Sequence, residues 1–406
     1  MHSQLIEWFQ VIFRFVHVIA GIMWIGNSLL FTWMELNMIK KDQDKDLLGE
    51  LDMLHGGGVF HLEKRVMHAD AIPERLHWFK WQSYTTWITG ALLLAALFYV
   101  NGSSLLDSTR TDLTARWAVV LSVAGIVGGW VIYDLIWRSP LGKNMLLGII
   151  ASFAFLIAAA IAFGMIFNGR ALFLQIGAMM GTFMSANVFF HIIKNQHRFM
   201  RTLKEGGNHD LQLAKNAKSR SLHNHYMTFP VIFLMLSAHF PALHAAENKV
   251  PILMVLIIAL MAIKHLMNTR YYFRFWLVSC VGVFLLGSGL IAFFLNPPRS
   301  MQAEASAQVD PQIAAGKQVF LAQGCAACHM QGSAQIAPEL DGIWGSTQKL
   351  IDGSSVVVDE AYVIDSILKP HSQIVHGYAA AMPSYEGRLS DEQLQQIIAY
   401  LKSITK

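Results

Sequence analysis

The chain has 406 residues, 54% of them hydrophobic and only 14% charged, with a mean hydropathy of +0.40 and a formal net charge of +4. It is too apolar for an ordinary soluble protein of this length, and its small cationic excess lies largely in connections between apolar runs, which points to a lipid bilayer and away from nucleic acid. The three cysteines, Cys280, Cys325 and Cys328, exclude a disulfide framework.

Crossing a hydrocarbon core of about 30 Å takes roughly 20 helical residues. Apolar runs of that order occur at about 8–32, 82–100, 116–136, 145–167, 171–193, 226–243, 250–267 and 275–295. They predict an all-α, polytopic helical membrane domain of about eight helices over residues 1–296. Pro230, His239 and His265 interrupt the sixth and seventh runs. The first apolar run lacks a small-residue cleavage site and serves as the targeting signal.

Gly21-x5-Asn27 in the first helix recurs as Gly181-x5-Asn187 in the fifth, each followed by a long basic connection containing histidines. That is the pattern of a duplicated four-helix unit, although small residues at helix contacts produce it without duplication. Lys and Arg concentrate in alternate connections: 33–81, 137–144, 194–225 and 264–274. By the bias of short cytoplasmic loops toward cations, both termini face away from the cytoplasm. This predicts a multi-pass protein of the bacterial inner membrane with its C-terminal part in the periplasm.

After Leu295 the apolar runs stop. Residues 297–311, with Pro297, Pro298, Ser300 and Ser306, read as a linker. Helical patterning resumes near Pro311 and closes with Leu394, Ile397, Ile398 and Leu401, giving a second domain over 312–406. Ser390 and Gln393 have the spacing of a capping box at the start of its last helix.

Within this domain stands Cys325-Ala-Ala-Cys328-His329. Two thiols one helical turn apart can each form a thioether to a haem vinyl group, and the adjacent imidazole becomes the proximal iron ligand. A zinc half-site would want two more ligands at fixed spacing, whereas Cys280 lies in an apolar run. The cofactor is therefore one covalent haem c. Met382, in Ala381-Met382-Pro383-Ser384-Tyr385, is the expected sixth ligand, ahead of Met330, His371 and His376, and the Pro338 carbonyl is the expected partner of the other His329 nitrogen. From Gly324 to Lys402, Asp352-Gly353-Ser354, Ser366-Ile367-Leu368-Lys369-Pro370 and Met382-Pro383-Ser384-Tyr385 resemble the class I cytochrome c domains fused to cytochrome oxidase subunit II. The helices before it do not form a subunit II.

Ionisable and amide side chains are costly in lipid and invite a functional reading. Arg14 and His17 fall in the first helix, Asn187 and His191 in the fifth, His239 in the sixth, and Lys264 and His265 in the seventh. For each alone, helix-to-helix hydrogen bonding or snorkelling is the simpler role. Two layers of histidine also open the option of a b-type haem in the membrane domain. The first long connection carries His55-Gly56-Gly57-Gly58, which is shared with the oxyanion loop of esterases, but no G-x-S-x-G nucleophile accompanies it. His77-Trp78-Phe79-Lys80-Trp81-Gln82 also reads as an interfacial aromatic belt.

Several separated segments, in order, resemble the membrane-bound, cytochrome c-linked urate oxidases: Phe15-Val16-His17 through Trp24-Ile25-Gly26, His55-Gly56-Gly57-Gly58, His77-Trp78-Phe79-Lys80-Trp81, Arg138-Ser139-Pro140-Leu141-Gly142, Ala186-Asn187-Val188-Phe189 and Ser221-Leu222-His223-Asn224-His225. The resemblance covers most of residues 1–295. It implies oxidation of urate to 5-hydroxyisourate, with electrons leaving through haem c toward a soluble cytochrome c or a terminal oxidase. A planar anion of this kind wants a cation, amide partners and an aromatic face. Arg14, His17, His55, Lys80, Gln82, Asn187 and Asn224 are the candidate catalytic residues on this reading. The chain departs from the family pattern at Gln82, where an acidic residue is expected, and near Gln175, where a histidine is expected, so a related purine is the alternative substrate. A non-catalytic subunit relaying electrons from quinol or a partner is the competing function.

Overall fold

In a computed structural model of the chain, the described residues are 2–40, 44–69, 72–100, 102–107, 110–205, 211–296, 310–329, 337–378, 380 and 382–404. Most of the expected linker, with Met330 and Ala381, lies outside them. The membrane half is built on helices α1 (His2–Asn37), α2 (Trp81–Leu94), α3 (Ala115–Arg138), α4 (Met145–Ile166), α5 (Gly169–Ala186), α6 (Leu211–Leu236), α7 (Lys249–Thr269) and α8 (Trp276–Leu295). Six of the helices are long and apolar enough to span a bilayer by themselves: α1, α3, α4, α5 with its continuation, α7 and α8. The other two, α2 and α6, pack into the same bundle, α2 lengthened by a π-helical turn over Ala95–Tyr99.

Helix α5 is the axis of the bundle. Phe173, Ile176, Met179, Met180, Phe183 and Met184 are all buried on it, and Ile252, Leu253 and Ile257 of α7 close the same core. Helix α1 buries little beyond Gln10 and Ala20, and its Trp8, Phe15, Ile22 and Met23 face outward, as a helix bathed in lipid allows. It meets α2 through small residues, with the His17 ring against Gly90 and Gly21 near Thr86. Side-chain caps mark the helix starts. Asn144 accepts from the Leu146 and Leu147 amides, and Asn168 accepts from that of Ala171.

Two connections expected as loops are structured. Strands β1 (Leu47–His55) and β2 (Gly58–Arg65) form an antiparallel hairpin in the first. Gly56 and Gly57, with φ of +61° and +80°, make its two-residue turn, so the His-Gly-Gly-Gly run is hairpin chemistry. In the second, α5 continues through a π-helical segment (Asn187–Ile193) into Lys194–Lys204, and α6 begins at Leu211, well before its apolar run. These turns are too polar for hydropathy to reveal. The two long connections of the suspected repeat are thus built differently.

The C-terminal domain has α9 (Pro311–Ala322), a single turn at Ala326–His329, a small hairpin of β3 (Thr347–Lys349) and β4 (Ser355–Val357), α10 (Glu360–Leu368) and α11 (Asp391–Ser403). Asp310 caps α9 with Pro311 at its first position, and Ser390 and Gln393 form the expected capping box on α11. Helices α9 and α11 cross at Gly316, where the Gln396 carbonyl leaves no room for a β-carbon, and Phe320 meets Tyr400 with ring centroids 5.4 Å apart. Phe320, Val358, Ile367, Leu394, Ile397 and Ile398 fill the core.

Candidate functional site

Helix α9 is capped at its C-terminus by Gln323, and Gly324, with φ of +76°, turns the chain into the one-turn helix that carries Cys325, Cys328 and His329. Cys325 is half-buried and Cys328 exposed. The His329 Nδ1–H donates to the Pro338 carbonyl oxygen at 2.9 Å, which fixes the ring and leaves Nε2 for an iron. Burial holds His329 below the ordinary histidine pKa, so the imidazole is neutral and fit to ligate. Met382 and Cys325 both pack against the domain core, and the Tyr385 hydroxyl donates to the Gln323 carbonyl oxygen at 2.9 Å, tying the methionine loop to the haem-binding turn. This donor set and its anchoring fit a haem c.

A second concentration of chemistry lies inside the membrane half, at the end that carries the hairpin. The Asn187 Nδ2 donates to the Asn224 Oδ1 at 2.9 Å and to the Tyr133 hydroxyl at 3.1 Å, and Asn224 in turn donates to the Met184 carbonyl. Tyr133 lies 2.7 Å from the His223 Nδ1 and stacks on Phe183 at 4.6 Å between centroids. Beside them Asp134 takes Arg220 at 2.8 Å and His191 at 2.6 Å, with Arg138 at 3.5 Å on its other oxygen. Asn187 opens the π-helical segment of α5, a distortion frequent at functional sites. A cleft of about 380 Å³, lined by Trp137, Lys143, Lys215, Lys218 and His223, opens next to this network.

Of the candidate residues in the membrane half, only Asn187 and Asn224 meet. Arg14, bonded to Gln10 at 3.2 Å, lies near Arg170, which is about 25 Å along α5 from Asn187. The His17 Nδ1 is held by the Thr86 carbonyl at 2.9 Å. His55 stands exposed at the hairpin turn. Lys80 lies 6.0 Å over the Trp81 ring at the start of α2, and the Gln82 Oε1 is buried without a partner. On the hairpin, Glu50, His61 and Glu63 bring potential ligand atoms within 4.8 Å of one another, but His61 is taken by Asp52 at 2.7 Å and Glu63 by Arg65.

Tyr133, Asp134 and Arg220 were not among the expected residues, although Asp134 was visible as a carboxylate inside an apolar run. His244 was missed as well. It sits in a four-residue turn (Pro241–His244) between α6 and α7, and no pattern announces it.

Two comparisons bear on these sites. Residues 3–293 match the family described as Urate oxidase N-terminal, and residues 313–405 match Cytochrome c. The second segment is also similar to a curated cytochrome c6 from Leptolyngbya boryana, 33% identical over 88 residues, which is 22% of this chain and 87% of that protein.

Proposed function

The chain belongs to the urate oxidase N-terminal family and ends in a cytochrome c domain, and from that premise we propose that it oxidises urate, or a closely related purine, and delivers the electrons to its own haem c. The observation that carries this reading is the fusion itself: a membrane domain of that family joined to a domain whose Cys325, Cys328, His329 and Met382 suit a haem of raised potential. Urate and one water yield 5-hydroxyisourate, two protons and two electrons. A haem c held by Cys325, Cys328, His329 and Met382 would supply the one-electron chemistry that links this oxidation to a soluble cytochrome c or a terminal oxidase. His329 is oriented by the Pro338 carbonyl, and Met382 as a second ligand would raise the potential of a haem held here.

The alternating loop charges support a bacterial inner-membrane address with the cytochrome domain in the periplasm. A b-type haem in the bilayer would need imidazoles with a nitrogen to spare. His225 spends one on Ser28 and Thr32 and the other on Asn268, and His191 spends Nε2 on Asp134. His17, anchored through Nδ1, is the histidine to follow in that reading. A pyridine-haemochrome spectrum counts the haems per chain.

The decisive experiment adds urate anaerobically to purified, oxidised protein and follows the haem c absorption. Prompt reduction is expected. An unchanged spectrum in protein that ascorbate still reduces overturns the enzyme reading and leaves an electron relay fed by quinol or a partner.

A further inference from the structure

We propose that the purine binds in the cavity between the two halves of the chain, on the haem c side of the bilayer, with His244 as the residue that reads its edge. The proposal rests on the urate reading above and names the site that reading lacks.

The cavity holds about 240 Å³, close to the lower end of the roughly 300–1,000 Å³ typical of small-molecule sites and suited to one bicyclic purine. The membrane half contributes Arg110, His244 and Lys249, and the cytochrome half contributes Lys317, His329 and Tyr400. Neither Cys325, Cys328 nor Met382 lines it. Of the expected haem-binding residues only His329 borders it, so a molecule within it touches that residue.

His244 is 4% exposed, yet neither ring nitrogen has a hydrogen-bond partner among the described residues. A buried polar group left unpaired costs about 1–3 kcal/mol, which a ligand bonding to it returns. Burial, with Arg170 and Lys249 nearby, pushes its pKa down to about 4, so near neutrality the ring is uncharged and offers one donor and one acceptor. The edges of urate alternate N–H groups with carbonyl oxygens, which is the complementary pattern. The ring is also held in place. The His244 carbonyl backs onto Gly169, where a β-carbon would collide with it, and the Phe173 ring lies at 6.2 Å.

The inner wall is cationic. The buried Lys249 pairs with Asp107 at 3.2 Å, Arg170 is close enough to act on His244, and the first turn of α5 begins there at Gly169, while Arg110, 48% exposed, reaches the same carboxylate at 3.3 Å from the mouth. Opposing charges, Glu247 paired with Lys317 at 2.7 Å and Asp341, come later, and the Glu247 side chain is 72% exposed at the mouth. A urate anion is drawn inward by this arrangement, while water and released protons exchange at the mouth. The cleft beside His223 is also basic, but a purine there would sit across about 30 Å of hydrocarbon from haem c. Electron tunnelling falls exponentially with distance, so the cavity that touches His329 is favoured.

The test uses full-length holoprotein in vesicles of two orientations, sorted by protease access to the cytochrome domain, because urate is an anion that crosses lipid slowly. Urate added outside is expected to reduce haem c promptly only where the cytochrome domain also faces outside. Equal or faster reduction from the hairpin side overturns the cavity proposal and leaves the urate reading standing. Failure from both sides, and in detergent, overturns the urate reading itself. A second measurement avoids turnover: radiolabelled urate binding to ascorbate-reduced protein. His244→Ala and, as a surface change less exposed to folding failure, Arg110→Ala are expected to weaken binding at least about tenfold, whereas Lys143→Ala at the opposite cleft leaves it unchanged. Loss of binding in Lys143→Ala alone, or unchanged binding in both cavity variants, overturns the assignment.

Discussion

Replacing Asp134 by Ala removes the carboxylate that Arg220, His191 and Arg138 share, and exposure decides how much each partner loses. The Arg220 and Asp134 side chains are 8% and 10% exposed and 2.8 Å apart, whereas Arg138 is 66% exposed at 3.5 Å. Stripping the counter-ion from a buried guanidinium costs about 3–5 kcal/mol, while a surface pair contributes under about 1 kcal/mol. For a domain of this size that corresponds to a fall in Tm of about 6–20 °C for Asp134→Ala and no more than about 4 °C for Arg138→Ala. Exchanging both Asp134 and Arg220 for apolar residues of similar volume leaves no buried charge unpaired and is expected to cost less than the single change. Thermal unfolding of the detergent-solubilised protein, followed by tryptophan fluorescence, reads the difference because Trp130 and Trp137 lie on the same helix. An Asp134→Ala variant as mild as Arg138→Ala, or a double variant as unstable as the single one, would refute the buried pairing.

Gly316→Val drives a side chain into the Gln396 carbonyl at the crossing of α9 and α11, and should cost about 3 kcal/mol or more in a denaturant titration of the haem signal; a loss below about 1 kcal/mol is incompatible with so close a crossing. Met382→Ala should lower the haem potential in a potentiometric titration, and an unchanged potential excludes Met382 as a ligand. His244 predicts a pH dependence of stability. Its folded pKa of about 4 lies below the ordinary 6.5, so as pH falls through that window the unfolded chain gains a proton that the folded one refuses. Stability then drops by up to about 3 kcal/mol, and His244→Asn should flatten that slope in Tm against pH. Lys317→Glu should loosen the two halves by placing like charges at the Glu247 contact, and the Glu247→Lys, Lys317→Glu exchange should restore protease resistance between them.

The haem-binding turn was legible in the sequence because its chemistry demands a fixed spacing, and the cap of α11 because Ser390 and Gln393 are three residues apart. The membrane network was not, because its partners are remote along the chain: Asp134 meets His191 and Arg220 across 57 and 86 residues. A lone carboxylate in an apolar run was the available signal, and it names one member without its partners. The start of α6 was hidden for a different reason. Lys215, Lys218 and Arg220 make its first turns too polar for hydropathy, although a helix that projects past the lipid has no need to be apolar there. Gly56 and Gly57 were visible as a glycine run without a structural reading, and only the backbone shows the positive φ values that make them a hairpin turn.

The position of the cavity also bears on how a two-electron donor can feed a one-electron carrier. On the reading proposed above, a haem c would take one electron at a time, so the half-oxidised purine would have to stay bound while a downstream carrier reached the domain. A carrier approaching through the proximal face would have to part the two halves and open the cavity to water. On that reading the two tasks fall to two faces of the cytochrome domain. His329 and Tyr400 line the cavity against the membrane half, whereas Cys328 lies off it, which leaves the Cys328 side of the domain for the carrier. An acidic substitution beside Cys328 should therefore slow oxidation of haem c by an external cytochrome without slowing its reduction by urate, and a substitution that slows both equally would mean that the two exchanges share one face.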